Sequence, residues 1–486
     1  MFVSPTGWQK VRHSITQKLF FGNEPTPELT AILLVYFVQG ILGLARLATS
    51  FFLKDELGLS PAEVSAMLGI AVLPWTVKPL FGFLSDRLPL FGYRRRPYLI
   101  LSGVLGASAW VALGTVVHTG IAATAAIALS SLSVAVSDVI ADSLVVERAR
   151  TESNSDTGSL QSLCWAASAL GGLITAYLSG SLLEHFSTRT VFLIAAAFPL
   201  ILSAAAWLIA ESPVSCSPNS HTQKQQVQQL ISAITQKSIF LPTAFIFIWH
   251  ATPTADSAFF FFTTNELGFQ PEFLGRVRLA TSIAALLGVW LFQHFFKSIP
   301  FRTIFGWLTL LSAALGMTTL ILVTHTNRAL GIDDHFFSLG DSIILTVIGK
   351  IAYMPVLVLA ARLCPVGVEA TLFALLMSVT NLAQFLSHET GAAITHWLGI
   401  TETNFDNLWL LVLIANLSTL LHLAFLGWVP KENAQSESQA ATPKSLPVLE
   451  PEPSNSNPPG QHIAPDFLPE MVPIAAITEK RTPERR

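Results

Sequence analysis

FFLKDELGLSP, residues Phe51–Pro61, ends the first long apolar run of this chain, and FFFTTNELGFQP, residues Phe260–Pro271, ends a later one. Glu56-Leu57-Gly58 and Glu266-Leu267-Gly268 stand 210 positions apart, the difference between 266 and 56. The same offset pairs Phe51 and Phe52 with Phe261 and Phe262, Pro61 with Pro271, and Arg46 with Asp256. A period this long points to two copies of a whole multi-helix unit.

The runs around the repeat fix the type of unit. A bilayer core about 30 Å thick needs about 20 apolar residues in a helix. Twelve stretches qualify, near 30–53, 61–84, 97–117, 121–147, 158–183, 189–210, 239–263, 272–295, 301–324, 340–362, 367–395 and 406–428. A membrane barrel would instead alternate over segments of about ten residues. The expected fold is all-α and integral to the membrane. It has a segment 1–29, a six-helix half 30–210, a linker 211–238, a second six-helix half 239–428 and a disordered tail 429–486. Two parallel halves related by an axis along the membrane normal are the major-facilitator arrangement.

Composition agrees. Hydrophobic residues make up 51% of the 486 and charged residues 12%, against about 25% charged in a soluble domain. So little charge disfavours a soluble enzyme, a nucleic-acid binder or a disordered chain. Residues 431–486 hold 14 of the 59 charges and 10 of the 28 prolines, too few apolar groups to pack. With the N-terminus inside, the short inner loops carry Arg87, Arg94, Arg95, Arg96, Arg148, Arg150, Lys224, Lys237, Lys297, Arg302 and Arg362, and the outer loops only Lys54, Arg189 and Arg328. This bias puts both termini in the cytoplasm. Residues 1–28 show no signal-peptide pattern. Cys164, Cys216 and Cys364 lie too far apart to suggest a metal site or disulfide framework. No Walker loop or His/Cys cluster appears, so neither an enzyme nor a cofactor is expected.

A charge at mid-bilayer costs at least about 2.5–3.5 kcal/mol, which makes each one a functional candidate. Arg46 either pairs with Asp256 or binds an anion, and a pair that substrate breaks satisfies both. Asp138 and Asp142 share one helix face and suit proton acceptance, recognition of paired N–H donors, or a structural pair with Lys78 or Lys350. His250 and Asp256 flank Pro253, which can kink their helix. Arg276 and Arg278 point to different faces, so at most one lines a cavity. Lys350 is mid-span, and Asn381, Gln384 and His388 form one polar stripe. At the loop after the second span, Asp86 with Arg94, Arg95 and Arg96 suits an inner-gate relay, or the arginines serve topology alone.

Several longer motifs resemble the folate–biopterin transporter family, a branch of the major facilitators. They are YFVQG (Tyr36–Gly40), FFLKDELGLSPAE (Phe51–Glu63), PWTVKPLFGFLSD (Pro74–Asp86), YRRRPY (Tyr93–Tyr98), DSLVVERAR (Asp142–Arg150), HATPTADSAFFFF (His250–Phe262) and CPVGVEATLFALLMS (Cys364–Ser378). The resemblance implies uptake of folates or unconjugated pterins, with protons, by alternating access of the two halves. It favours a bacterial, cyanobacterial-type membrane over a plastid envelope.

On that basis the substrate-binding candidates are Arg46, Asp138, Asp142, His250, Asp256, Arg276, Lys350 and Asn381. Asp138, Asp142 and Asp256 are candidates for proton coupling, and Lys78, Asp86, Arg94, Arg95, Arg96 and Glu369 for gating. A carboxylate can accept two N–H bonds from a pterin edge, and Arg46 with Arg276 or Lys350 can bind the glutamate tail. Phe51, Phe52, Trp75 and Phe259 can stack on the ring. Expected partners are the folate or pterin, protons and the lipid bilayer, without nucleic acid or an obligatory protein. The competing reading is a carrier of the same fold for another small organic anion or other solute; a non-transporting receptor has no signalling domain to support it.

Overall fold

In the computed structural model of the chain, which describes residues 25–151, 157–213, 235–296, 299–363 and 369–430, both copies of the repeat build the same turn. The helix widens over Phe52–Glu56 in the first copy and Phe262–Glu266 in the second. The Leu57 N–H donates to the Phe52 carbonyl at 3.0 Å, and the Leu267 N–H to the Phe262 carbonyl at 3.1 Å. Gly58 and Gly268 then take left-handed backbone, with φ of 61° and 70°, a region that penalises any Cβ. The next helix starts at Pro61 or Pro271, where the missing N–H has no partner to lose. The first copy adds a capping box between Ser60 and Glu63.

The equivalence extends inward. The first span breaks at Leu42–Gly43, between helices Pro27–Ile41 and Leu44–Phe51. Its counterpart breaks over 251–255, between Lys237–His250 and Asp256–Phe261. Arg46 and Asp256 both occupy the first turn after the break. A third repeated device closes each half: Arg96 Nε donates to the Ile209 carbonyl at 2.6 Å, and Arg302 Nε to the Val429 carbonyl at 2.5 Å. Each acceptor follows a short 3-10 turn, Ala206–Leu208 or Leu426–Trp428.

The described residues are almost wholly helical, with a single isolated bridge between Leu90 and Tyr93. Among the described residues, ten helical segments are long and apolar enough to cross a bilayer. The other two of the twelve expected stretches are the segment interrupted at 251–255 and the helix Glu369–Trp397. The first is shortened by its break, and the second carries the polar stripe Asn381, Gln384 and His388. Ile121, Trp207, Trp307 and Leu101 are among many large apolar side chains on the outside. A surface of this kind fits contact with lipid.

Each half has its own apolar core, built around Ile32, Leu99 and Ile140 in the first and Phe245, Phe305 and Leu359 in the second. The halves meet along two span pairs, Pro61–Arg87 with Glu369–Trp397 and Leu163–His185 with Pro271–Phe296. Gly180 and Gly275 let the second pair cross with backbones touching: a Cβ on Gly180 would lie 2.4 Å from the Pro271 carbonyl. Further contacts join the halves near the repeat turns. Lys54 Nζ donates to Asn265 Oδ1 at 2.8 Å, and the Phe51 and Phe260 rings meet edge-on at 5.2 Å. This is the Lys54 end of the bundle; the opposite one is the Arg95 end.

Of the sequence expectations, most of 1–29, most of the linker 211–238, nearly all of the tail 429–486 and the Cys364–Val368 part of CPVGVEA lie outside the described residues. So do Lys224 and Lys297 and the side chains of Arg150, Arg362 and Glu369.

Candidate functional site

Three spans of the first half converge on Lys78. Thr76 ends one helix and Lys78 begins the next, just ahead of Pro79. Asp138 and Asp142 stand one turn apart on Gly120–Val145, and Tyr36 and Gln39 nearly one turn apart on Pro27–Ile41. Lys78 Nζ pairs with Asp138 Oδ2 and, at 3.1 Å, with Asp142 Oδ2. Tyr36 donates its hydroxyl to Asp142 Oδ1 at 2.6 Å, and Gln39 Nε2 donates to Asp138 Oδ1 at 2.9 Å. The ammonium also lies 5.6 Å from the Trp75 ring. Two carboxylates share one ammonium, so with all three groups charged the cluster carries one excess negative charge. A proton or the N–H donors of a ligand would compensate it. The Asp142 side chain is 47% exposed against 11% for Asp138, which makes Asp142 the reachable member.

Lys78, a gating candidate from the sequence, is thus placed in this charge cluster, as the pairing with Asp138 and Asp142 anticipated. The second half approaches through Asn381, whose Nδ2 donates to the Trp75 carbonyl at 3.2 Å. Elsewhere in that half, Lys350 lies 5.4 Å from the Tyr353 ring, which meets His250 edge-on at 5.8 Å. His250 Nε2 is buried with no hydrogen-bond partner.

Toward the Lys54 end, Arg46 and Asp256 form no ion pair, against the paired alternative raised by their equivalence. Asp256 is exposed. Arg276 was the choice from sequence on its helix, yet its side chain is 62% exposed and bonded to Glu272 at 2.5 Å. Arg278, two residues on, is the inward one: its Nη1 is buried without a partner. Two residues on a helix project about 200° apart, so only the rotation of the span separates them.

At the Arg95 end, Arg95 pairs with Asp86 at 2.9 Å and Glu147 at 2.7 Å and donates to Ser85 Oγ at 3.1 Å. Glu211 accepts from the backbone N–H groups of Arg94 at 2.5 Å, Arg95 at 3.0 Å and Arg96 at 3.0 Å. These contacts bind the loop after the second span to the fourth and sixth, all inside the first half. Sequence reading singled out Asp86 and Arg94–Arg96 but missed Glu147, at the end of the Gly120–Thr151 helix, and Glu211, which follows the sixth span. It also missed Tyr36 and Gln39 as partners, although two polar groups spaced three apart in an apolar span are a visible signal.

Residues 39–446 match the BT1 family. The chain is 58% identical over 470 residues to a protein of Synechocystis sp. named folate-biopterin transporter, covering 95% of each. It is 35% identical to the Arabidopsis thaliana probable folate-biopterin transporter 2, covering 81% of this chain and 80% of that one. It is 32% identical to the Plasmodium falciparum folate transporter 2, covering 82% and 88%. Among solved structures it is similar to a D-xylose-proton symporter, with TM-score 0.61, 16% identity and 84% and 97% coverage. It is also similar to the nucleoside transporter NupG, with TM-score 0.63, 14% identity and 83% and 100% coverage. At such low identity these structures establish the fold, that of the major-facilitator transporters.

Proposed function

Because this chain belongs to the BT1 family, we propose that it is a membrane carrier of folates or unconjugated pterins that works by alternating access and is driven by protons. The observation that carries the reading is the Lys78 cluster. Its carboxylates provide adjacent acceptors for the amino-pyrimidinone edge of a pterin, and its ammonium provides a donor for the ring oxygen. Trp75, beside the ammonium, offers an aromatic face. The excess negative charge supplies the proton site: when Asp142 binds a proton, Lys78 is left to Asp138 alone, and substrate and proton compete for or share the same carboxylate.

The proposal includes twelve crossings, with 30–210 and 239–428 as rocking halves and both termini in the cytoplasm. Charge bias then makes the Lys54 end the outer one. Close packing there, through Gly180, Gly275, Lys54 and Asn265, matches a carrier closed to the outside. The named relatives support the substrate class, and the cyanobacterial relative supports a bacterial membrane.

The test is uptake of labelled folic acid and of labelled biopterin into liposomes holding the purified protein, with and without an inward proton gradient. Gradient-driven accumulation of either one is expected. No uptake of any folate or pterin overturns the substrate assignment, and uptake indifferent to the gradient removes the proton.

A further inference from the structure

Arg46 lies deep in the first span, and its direction follows from its neighbours. Gln39, Arg46, Ser50 and Lys54 succeed one another at near-helical spacing. The first of them reaches Asp138, and the last reaches Asn265 of the other half. The face between them therefore looks into the space between the halves, and Arg46 on it is an exposed residue. Arg278 approaches from the second half. It sits about one turn further along the helix than Gly275, which packs on Gly180 of the first half, so its side of the helix also faces across the divide.

An unpartnered guanidinium is costly in a membrane interior. Among the described residues, neither side chain has an ion pair or hydrogen bond, and Arg278 Nη1 is buried with nothing to donate to. Asp256 makes no ion pair with Arg46, and Glu272 is taken by Arg276. Two unpartnered guanidinium groups turned toward the divide between the halves call for an anion, and planar guanidinium forks match carboxylate oxygens.

We propose that Arg46 and Arg278 form a carboxylate subsite shared between the halves, which binds the anionic tail of a conjugated pterin. The assignment rests on the folate/pterin reading above and deepens it: the carboxylate-bearing substrate is preferred over the unconjugated ring. Arg46 lies seven residues beyond Gln39, about 10 Å along the helix axis. That separation suits a ligand with a flat head at the Lys78 cluster and an acidic tail nearer the Lys54 end. Because the two arginines come from different halves, the same carboxylate would draw the halves together at that end, and an unconjugated pterin would not.

The test measures equilibrium binding to purified, detergent-solubilised full-length protein. The probes are folic acid, biopterin and p-aminobenzoylglutamate, which carries the tail without the pterin. Arg278→Ala and Arg46→Ala should each weaken folic acid and p-aminobenzoylglutamate at least about tenfold and leave biopterin within about twofold. Arg278→Lys, which keeps the charge and loses the fork, should fall between. Unchanged folic acid binding in both alanine variants overturns the subsite, as does an equal loss for all three ligands. Wild-type protein that binds biopterin but neither glutamate-bearing probe also overturns it, with the pterin reading intact. Wild-type protein that binds none of the three overturns both.

Discussion

Gly180 and Gly275 cross so closely that a Cβ on Gly275 would sit 2.8 Å from the Gly180 Cα, and one on Gly180 would sit 2.7 Å from the Gly275 Cα. The obstacle on both sides is backbone, which cannot turn aside as a side chain can. Gly180→Leu should therefore hold these spans apart and keep the Lys54 end from closing. Uptake should fall at least about tenfold while the protein stays monodisperse. In a chain whose three cysteines are replaced by serine, Thr264→Cys should react faster with a membrane-impermeant thiol reagent once Gly180→Leu is added. Equal reactivity would mean that the crossing does not control closure.

The Lys78 cluster makes a sharper forecast because its charges do not balance. Lys78→Met leaves Asp138, nearly enclosed, with only Gln39 as a donor, and Asp142 with only Tyr36. Removing one partner of a buried ion pair typically costs about 3–5 kcal/mol, so the variant should unfold at a clearly lower temperature and transport should be abolished. Adding Asp138→Asn removes the stranded charge. The double variant should recover most of the melting temperature and none of the uptake. Recovery of both would reduce Lys78 to a structural counter-ion.

Glu211 yields a different kind of prediction, about the loop at the Arg95 end. Its carboxylate accepts from three successive N–H groups at the start of the Arg96–Thr115 helix, where the helix dipole favours negative charge. Glu211→Gln keeps the size and loses the charge, and should cost about 1–2 kcal/mol. Thermal unfolding should show it, and substrate affinity should hardly change. A loss of affinity with unaltered melting would mean that Glu211 serves the substrate path and not the loop.

What could be read in advance follows from the range of the physics. The Glu-Leu-Gly repeat and the apolar runs are local signals, and they led to the two halves and the membrane. Scarcity of charge likewise marked Arg46, Asp138, Asp142 and Lys350 without any structure. Partner choice was hidden, because Tyr36 meets Asp142 across 106 residues and Lys78 meets it across 64. The choice between Arg276 and Arg278 was hidden too, since it depends on how one helix rotates against its neighbours. The break at 251–255 contains Pro253 and was visible as a kink. Its counterpart at Leu42–Gly43 has no proline, and the close packing of Gly40 beside it against Ser168 and Gly171 joins residues far apart in the chain.

The repeat turns allow one test of the two-fold design itself. Gly58 and Gly268 both hold left-handed backbone, and a Cβ added to either would meet nothing within 4 Å. The penalty for alanine is then purely conformational, about 1–2 kcal/mol at each site. Asparagine, which tolerates this region better, should cost less. Gly58→Ala and Gly268→Ala should therefore lower the unfolding temperature by similar amounts. The turns are joined through Lys54 and Asn265, so any departure of the double variant from the sum measures the coupling between them. A much larger effect at one turn would show that the two copies have diverged in what they support, despite sharing the Phe-Phe, Glu-Leu-Gly and Pro positions.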